Sequence, residues 1–343
     1  MMKKIKQWLV VSFLLLTILL LTWFKLTQPR ILVIQSYDAD YTWTRDIDAG
    51  IKRVLDGNLR YKVQWHYMNT KKHPDSDYKR RAGVQALREI ERFSPDLIIA
   101  IDDDAQKYAV QKYANNPKIN IVFAGINGSV EPYGYNQAQN VTGIYERKPL
   151  SSLRSTLAEL RDQNGKPVGK RIANIGDQSE SVMEDSKEIE SMDWSPFKLV
   201  SEKHVRTFEE WKKAVATASD NADVILISNY QNILRTADTT DFVPPVEIME
   251  WTESNAAIPV VGMGGYMVED GGMLAIGASG FEQGDVIAHM ANSILDKGVR
   301  PKDIPQVMPR QYLVYIRQAQ MKEHELTLPD IYEAFSRASN NYH

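Results

Sequence analysis

The chain has 343 residues, with 41 Lys plus Arg against 44 Asp plus Glu, a formal net charge of −3, and no cysteine. That length supplies core for two domains, and balanced charge without a long basic run argues against nucleic acid as a partner. The missing thiol excludes disulfides, thiolate metal sites, a cysteine nucleophile and a lipid-modified N-terminal cysteine, and it suits an oxidising compartment.

In chain order, Lys3, Lys4 and Lys6 come first, and an uncharged, strongly apolar run follows at residues 8–24. Basic residues ahead of an apolar stretch mark an export signal or a membrane anchor. A helix from a soluble core would show a polar face, which this run lacks. The residues at 22–29 offer no small-x-small pair to a signal peptidase, so an uncleaved anchor is favoured over a removed signal. The expected order is a cytoplasmic basic end at 1–7, a transmembrane segment at 8–24, a short tether at 27–30, and a body in the periplasm or outside the cell.

The body alternates short apolar runs with amphipathic stretches. The run at 31–35 meets Ser36, Tyr37 and Asp38, a second strand is expected at 62–67, 97–101 meets Asp102, Asp103 and Asp104, and 119–124 meets Gly125, Ile126, Asn127 and Gly128. After a turn-rich break at 132–140, residues 141–144 read as a strand crossing into a second unit. The rhythm then restarts: 171–175 meets Gly176 and Asp177, 224–227 meets Ser228, Asn229 and Tyr230, 259–261 meets Gly264 and Gly265, and 274–278 is a late strand. Ile47, Ile51, Val54 and Leu55 form one helical stripe, and Ala82, Ala86, Leu87, Ile90 and Phe93 another. Further helices are expected at 150–161, 179–192, 207–218, 246–254, 281–297 and 330–339, with Ser179 and Thr207 as N-caps and a strand at 312–316 before the last. Continuous apolar strands alternating with helices predict an α/β fold with parallel sheets covered on both faces. Two such series predict two lobes with a cleft between them, and ligands of such sheets lie beyond the carboxyl ends of the strands.

The strand-end loops therefore supply the candidate ligand-binding residues. In the first lobe they are Ser36, Tyr37, Tyr41 and Trp43, whose aromatics either wall a ligand or pack on the first helix. Asp102, Asp103 and Asp104 follow: a carboxylate there either pairs with a ligand amine or, for Asp104, caps the next helix. Asn127 and Gly128 let backbone amides approach closely. In the second lobe, Asp177, Ser179 and Ser181 stand at a helix start whose free N–H groups either suit a carboxylate or another anion or are met by ordinary capping, and Asn229, Tyr230, Gly265 and Tyr266 complete the set, while Glu269 and Asp270 fall in a solvated turn. The scattered histidines have no metal spacing, and neither a nucleophile turn nor a phosphate loop is present. No catalysis, no metal and no cofactor is expected.

Several segments together resemble the tryptophan-type ABC transporter substrate-binding family, of the type I periplasmic binding protein fold. They are NVTGI at 140–144 followed by a helix, PDLIIAI at 95–101 leading to Ala105 and Gln106, INIVFA at 119–124, and a tail with Gly284, Ile294, Leu295, Gly298, Pro301, Asp303, Ile304, Pro305, Leu328 and Pro329. The resemblance runs from residue 30 to the end. It departs in the ligand-facing loops, where Ile126-Asn127-Gly128-Ser129 replaces Thr-Asp-Pro, Asp177-Gln178-Ser179-Glu180 replaces Asn-Glu, and Asn229-Tyr230 replaces Asp-Asn. It implies two Rossmann-like lobes joined by a three-strand hinge, lobe one from 30–142 plus 281–302 and lobe two from 143–280 plus 303–343. It also implies a solute receptor, not an enzyme, that closes on a small polar molecule and presents it to an ABC permease. Aromatics and carboxylates in the cleft favour an amino-acid-like or amine-bearing ligand. The alternative is a sensor input read by a membrane kinase or cyclase.

Overall fold

The computed structural model describes residues 2–57 and 59–343. Helix α1 (Met2–Thr27) carries the one stretch among the described residues, Ile5–Lys25, that is long and apolar enough to cross a membrane, and none of it is buried against the body. Trp8 is 73% exposed and Phe13 67%, so the body does not cover this apolar surface.

The first sheet contains β1 (Arg30–Gln35), β2 (Lys62–Tyr67), β3 (Leu97–Ile101), β4 (Asn120–Ile126) and β5 (Val141–Tyr145) in the order β2-β1-β3-β4-β5, all parallel. Its central strands are apolar along their middles because both faces are covered. On one face Ile31, Val33 and Ile99 pack against α2 (Thr42–Leu55) and α10 (Gly280–Lys297). On the other, Leu32, Ile34 and Ile98 meet α3 (Ser76–Phe93) and α4 (Asp102–Tyr108).

The second sheet runs β12-β11-β10-β9-β7-β8, from β7 (Arg171–Asp177), β8 (Lys198–Val205), β9 (Val224–Ile227), β10 (Val260–Gly262), β11 (Leu274–Ala278) and β12 (Tyr312–Ile316). The helices around it are α5 (Leu150–Glu159), α6 (Glu180–Ser191), α7 (Phe208–Asn221), α8 (Pro245–Asn255), the short α9 (Tyr266–Glu269), α11 (Gln318–Glu323) and α12 (Asp330–Ala338), and β6 (Arg161–Asp162) pairs with β13 (Leu326–Thr327) in a small ribbon. Two features depart from expectation. β8 escapes an apolar-run reading because it is an edge strand whose polar residues alternate outward. β12 is antiparallel to β11, since the chain re-enters this sheet from the cleft side and must run back down it.

Thr207 caps α7 with a full capping box closed by Glu210. Ser179 stands at the N-cap position of α6 but its side chain makes no capping bond; its hydroxyl donates to Asp177 at the end of β7.

The chain passes between the sheets three times. β5 is not itself a crossing strand: Tyr145 still stands beside Ile126 of β4, and the passage follows at 146–149. The second passage is the step from β11 to α10, where the Ser279 hydroxyl accepts the Glu282 N–H at 3.1 Å. The third is the return at 304–311, where Val307 bridges to Ile144 and the Glu282 carboxylate accepts the N–H groups of Arg310 and Gln311.

The late helix α10 is held on the first lobe through bare backbone. A Cβ on Gly284 would lie 2.0 Å from the Ile47 carbonyl, and one on Gly50 would lie 2.3 Å from the Phe281 carbonyl. Gly284→Ala is expected to force α10 off α2 and to destabilise the protein by about 1–3 kcal/mol. A urea melt with a lowered midpoint and an unchanged slope is the readout.

Candidate ligand-binding site

Strand ends from both sheets converge on one cavity of about 70 Å³. The loop after β1 brings Tyr37 and Tyr41 and the first turn of α2 brings Trp43, the loop after β2 brings Lys71, β4 and β5 lead to Asn127, Glu146 and Lys148, and β9 and β10 lead to Asn229, Gly265 and Tyr266. Tyr37, Lys71 and Ser181 also line a larger groove of about 750 Å³ that continues outward between the lobes past Asp103, Asp104, Gly128 and Ser179.

The lobes touch. Across the gap the Tyr41 hydroxyl lies 3.3 Å from Gln231 Oε1, the Thr42 hydroxyl donates to Glu269 at 2.5 Å, and Lys107 pairs with Glu180 at 2.7 Å. Arg147 donates to the carbonyls of Ile126 at 3.1 Å and Gly128 at 2.9 Å while its Nε meets Glu188 of α6 at 2.8 Å. The walls are aromatic: Tyr37 meets Tyr41 edge-on with centroids 5.7 Å apart, and Tyr41 faces Tyr266 across the gap at 6.4 Å.

The polar lining is strongly charged. Lys148 Nζ lies 3.2 Å from Glu146 and 3.5 Å from Asp185 of α6, Asp185 being buried and the other two side chains mostly so. Burial works against the Lys148 charge, but Asp185 and Glu146 outweigh it and hold the ammonium protonated. Burial lifts Asp185 to about 7 in spite of Lys148. Asp46, on the α2 side of the cavity, is raised to about 6 by burial and by Glu269, and no side chain pairs with it among the described residues. Lys71 Nζ sits 4.9 Å from the Tyr37 ring centroid and 5.2 Å from that of Tyr41, and burial pulls its pKa below that of an ordinary lysine.

Such a cavity suits a small ligand with both apolar and charged parts. The comparisons agree with that geometry. Residues 31–337 match the family of ABC transporter substrate binding proteins. The chain belongs to this family.

Its members work outside the cytoplasm, where they bind small-molecule ligands for ABC permeases, a non-catalytic part of transport. No curated protein matches the chain. Among solved structures, it is similar to the ABC domain from Streptococcus pneumoniae in complex with L-Trp, at 18% identity over 90% of this chain and 98% of that one, TM-score 0.64. A conserved domain protein from Vibrio cholerae O1 biovar El Tor shows 16% identity over 90% and 98% of the two chains, TM-score 0.62. The 5-methylthioribose transporter solute binding protein from Thermotoga lettingae shows 13% over 90% and 92%, TM-score 0.52. At these identities the likeness concerns the two-lobed fold.

Within this substrate-binding protein, Tyr37, Tyr41, Trp43, Asn127, Asn229, Gly265 and Tyr266 line the cavity, and Asp103, Asp104, Gly128 and Ser179 line the groove. Four other expected residues face elsewhere. Ser36 is buried, donating to the Ile101 carbonyl at 2.6 Å and accepting the Ala105 N–H at 2.8 Å, so it ties β1 to the start of α4. Asp177 is spent on the N–H groups of Ser179 and Asn232. Tyr230 is a core side chain between Trp211 and Tyr266, its hydroxyl donating to Asp270 at 2.6 Å. Asp102 lies under the wall: Trp43 Nε1 donates to its Oδ1 at 3.1 Å, its Oδ2 is buried without a partner among the described residues, and burial followed by Glu146 pushes its pKa well above the usual carboxylate range. Asp104 does not cap α4, which starts at Asp102; it pairs with Lys79 at 2.9 Å.

Sequence reasoning missed Asp46, Lys71, Glu146, Lys148 and Asp185. The strand-end rule could have found Lys71, Glu146 and Lys148, which follow β2 and β5. Asp185 carries a weaker signal, one helical turn beyond Ser181 and so on the same face. Lys148→Met leaves Glu146 and Asp185 buried without their cation and is expected to cost about 3–5 kcal/mol of stability. Adding Asp185→Asn should recover part of that loss in the same denaturant melt.

Proposed function

We propose that the chain is an exported substrate-binding protein, held at the membrane by α1, that closes on a small amino-acid-like or amine-bearing ligand and delivers it to an ABC permease. Asp46 supports the ligand class most directly: it is an acid lining an aromatic cavity, with no cation paired to it among the described residues. A ligand ammonium would supply that partner and desolvate with it. Tyr41, Trp43 and Tyr266 would cover the ligand's apolar part. The L-Trp and 5-methylthioribose bound by the similar proteins differ widely, so the ligand class rests on this chain's own charges. Nothing in the family match favours the kinase or cyclase partner.

Thermal melts of the full-length chain in detergent micelles test the ligand. A binder present at about 100 times its Kd adds about 2.7 kcal/mol to stability. An amino acid or amine should raise Tm, and no rise with any member of either class would sink the reading. The sign of the pH dependence follows from Asp46. Its raised pKa, about 6, means the carboxylate loses its charge as pH falls through that value. Binding should therefore be weaker near pH 5 than near pH 7.5, and Asp46→Asn should be weaker at both. For the anchor, the full-length chain should stay in the membrane pellet after alkaline carbonate extraction; a soluble product beginning near Arg30 would show α1 to be a removed signal.

A further inference from the structure

The five strands of the first sheet are parallel, so the segments that lead into them share one end of that sheet, opposite the cleft. Helix α1 joins the body at this end. Only Gln28 and Pro29 separate it from β1, a span of at most about 7 Å, and hydrogen bonds hold both to the body. The Gln28 amide donates to the Leu59 carbonyl, the Pro29 carbonyl accepts the Lys62 N–H at 2.9 Å, and the Arg30 N–H meets Asp96 at 2.8 Å. With α1 across a membrane, the base of β1 stands no further than a Debye length, about 10 Å, from the headgroups.

The charge of that end is opposite to the charge of the body. Four basic residues and no acid precede Arg30, which leaves the body with 37 Lys plus Arg against 44 Asp plus Glu, a net charge of −7. The segments at 29–30, 56–62, 94–96, 114–119, 137–140 and 296–303 lead into β1 to β5 or close α10 beside them, and they hold seven basic residues and four aspartates. Three of those aspartates are paired within the end itself: Asp96 with Arg30, Asp296 with Arg60 at 2.8 Å and Asp303 with Arg300 at 2.7 Å. Lys62, Lys118, Lys297 and Lys302 are exposed and have no carboxylate within 4.0 Å among the described residues, against Asp56 as the one acid there without a cation. Lys302 reaches the Gln139 amide oxygen at 2.7 Å, which ties the segment after α10 to the base of β5. Leu59, beside the tether, is 79% exposed.

We propose that this end of the first sheet rests on anionic phospholipid, with the four lysines on the headgroup phosphates and Leu59 seated at the boundary with the acyl chains. The inference rests on α1 remaining as an anchor and says how the anchored body is oriented. A net-negative body is repelled by an anionic surface except through a positive end, and here the tether presents that end to the membrane. Lysines suit this surface because an ammonium on a flexible stem needs no fixed partner geometry, and lipid headgroups offer none. An exposed leucine among them adds burial of apolar area. The six-residue β1 then rises away from the membrane and lifts its cleft end about 20 Å outward, so the receptor stands upright with the cleft facing away from the lipid.

The chain has no cysteine, so Leu59→Cys supplies a single thiol for the test. The full-length variant is reconstituted in vesicles of phosphatidylcholine, with or without a third of the lipid exchanged for phosphatidylglycerol. The readout is the rate of labelling by a polyethylene-glycol maleimide, which is uncharged and too large to enter the bilayer. Each lysine near an anionic surface is worth about five-fold in docked population, so labelling should be slower by roughly ten-fold or more with phosphatidylglycerol. It should recover in molar salt, where the Debye length falls to about 3 Å. Adding Lys62→Gln, Lys118→Gln and Lys297→Gln should restore the phosphatidylcholine rate without lowering Tm, since none of the three is paired with a carboxylate. Met183→Cys, exposed on α6 of the second lobe, should label at one rate throughout. Equal Leu59→Cys rates in the two lipids, or a slow rate that survives salt or the triple substitution, overturns this inference and leaves the anchor in place. A chain washed from the vesicles by alkaline carbonate overturns both.

Discussion

Lys148 stands where the chain leaves the first sheet, and the two carboxylates that neutralise it come from either side of that junction: Glu146 two residues earlier and Asp185 on the second lobe's α6. A buried ammonium cannot stay charged alone, and two buried acids cannot both ionise without it. The cluster therefore has one low-energy arrangement, with α6 drawn against the end of β5. Arg147 adds to this by holding the carbonyls after β4 on one side and Glu188 on the other. The shape of the cavity follows from these neighbouring cations, because they set how far the second lobe's strand ends stand from Tyr37 and Tyr41.

Charge pairing then separates structure from recognition. Most of the charges in the gap are satisfied within the protein: Lys79 by Asp104, Lys107 by Glu180, Lys148 by its two acids. Such pairs orient the walls but hold little in reserve for a ligand. Lys71 and Asp46 have no ion-pair partner among the described residues. One is wrapped by tyrosines, and the other is driven toward neutrality by burial. Desolvation of an unpaired charge is unfavourable in the empty protein and is offset when a complementary group arrives.

Much of the fold was legible because parallel strands covered on both faces must be apolar at every position. The runs at 31–34, 97–101 and 224–227 meet that condition, and the structure places a strand at each. β8 was not legible, since an edge strand owes the core only one face. The aromatic wall was legible as well, because Tyr41, Trp43 and Tyr266 follow strand ends. Ser36, Asp177 and Tyr230 share that position yet serve the scaffold: each finds a backbone or side-chain partner within its own lobe before it reaches the gap.

Taken by itself, the sequence determined the strand and helix alternation, the apolar helix ahead of the body and the side of each sheet on which polar loops gather, because these depend on hydrophobic periodicity within a few residues. The tertiary structure alone decided which charges are spent and which remain. Pairings such as Lys148 with Asp185 or Lys79 with Asp104 join residues distant along the chain, and only the packing of helices against two separate sheets brings some together while leaving Lys71 and Asp46 without a counterion among the described residues.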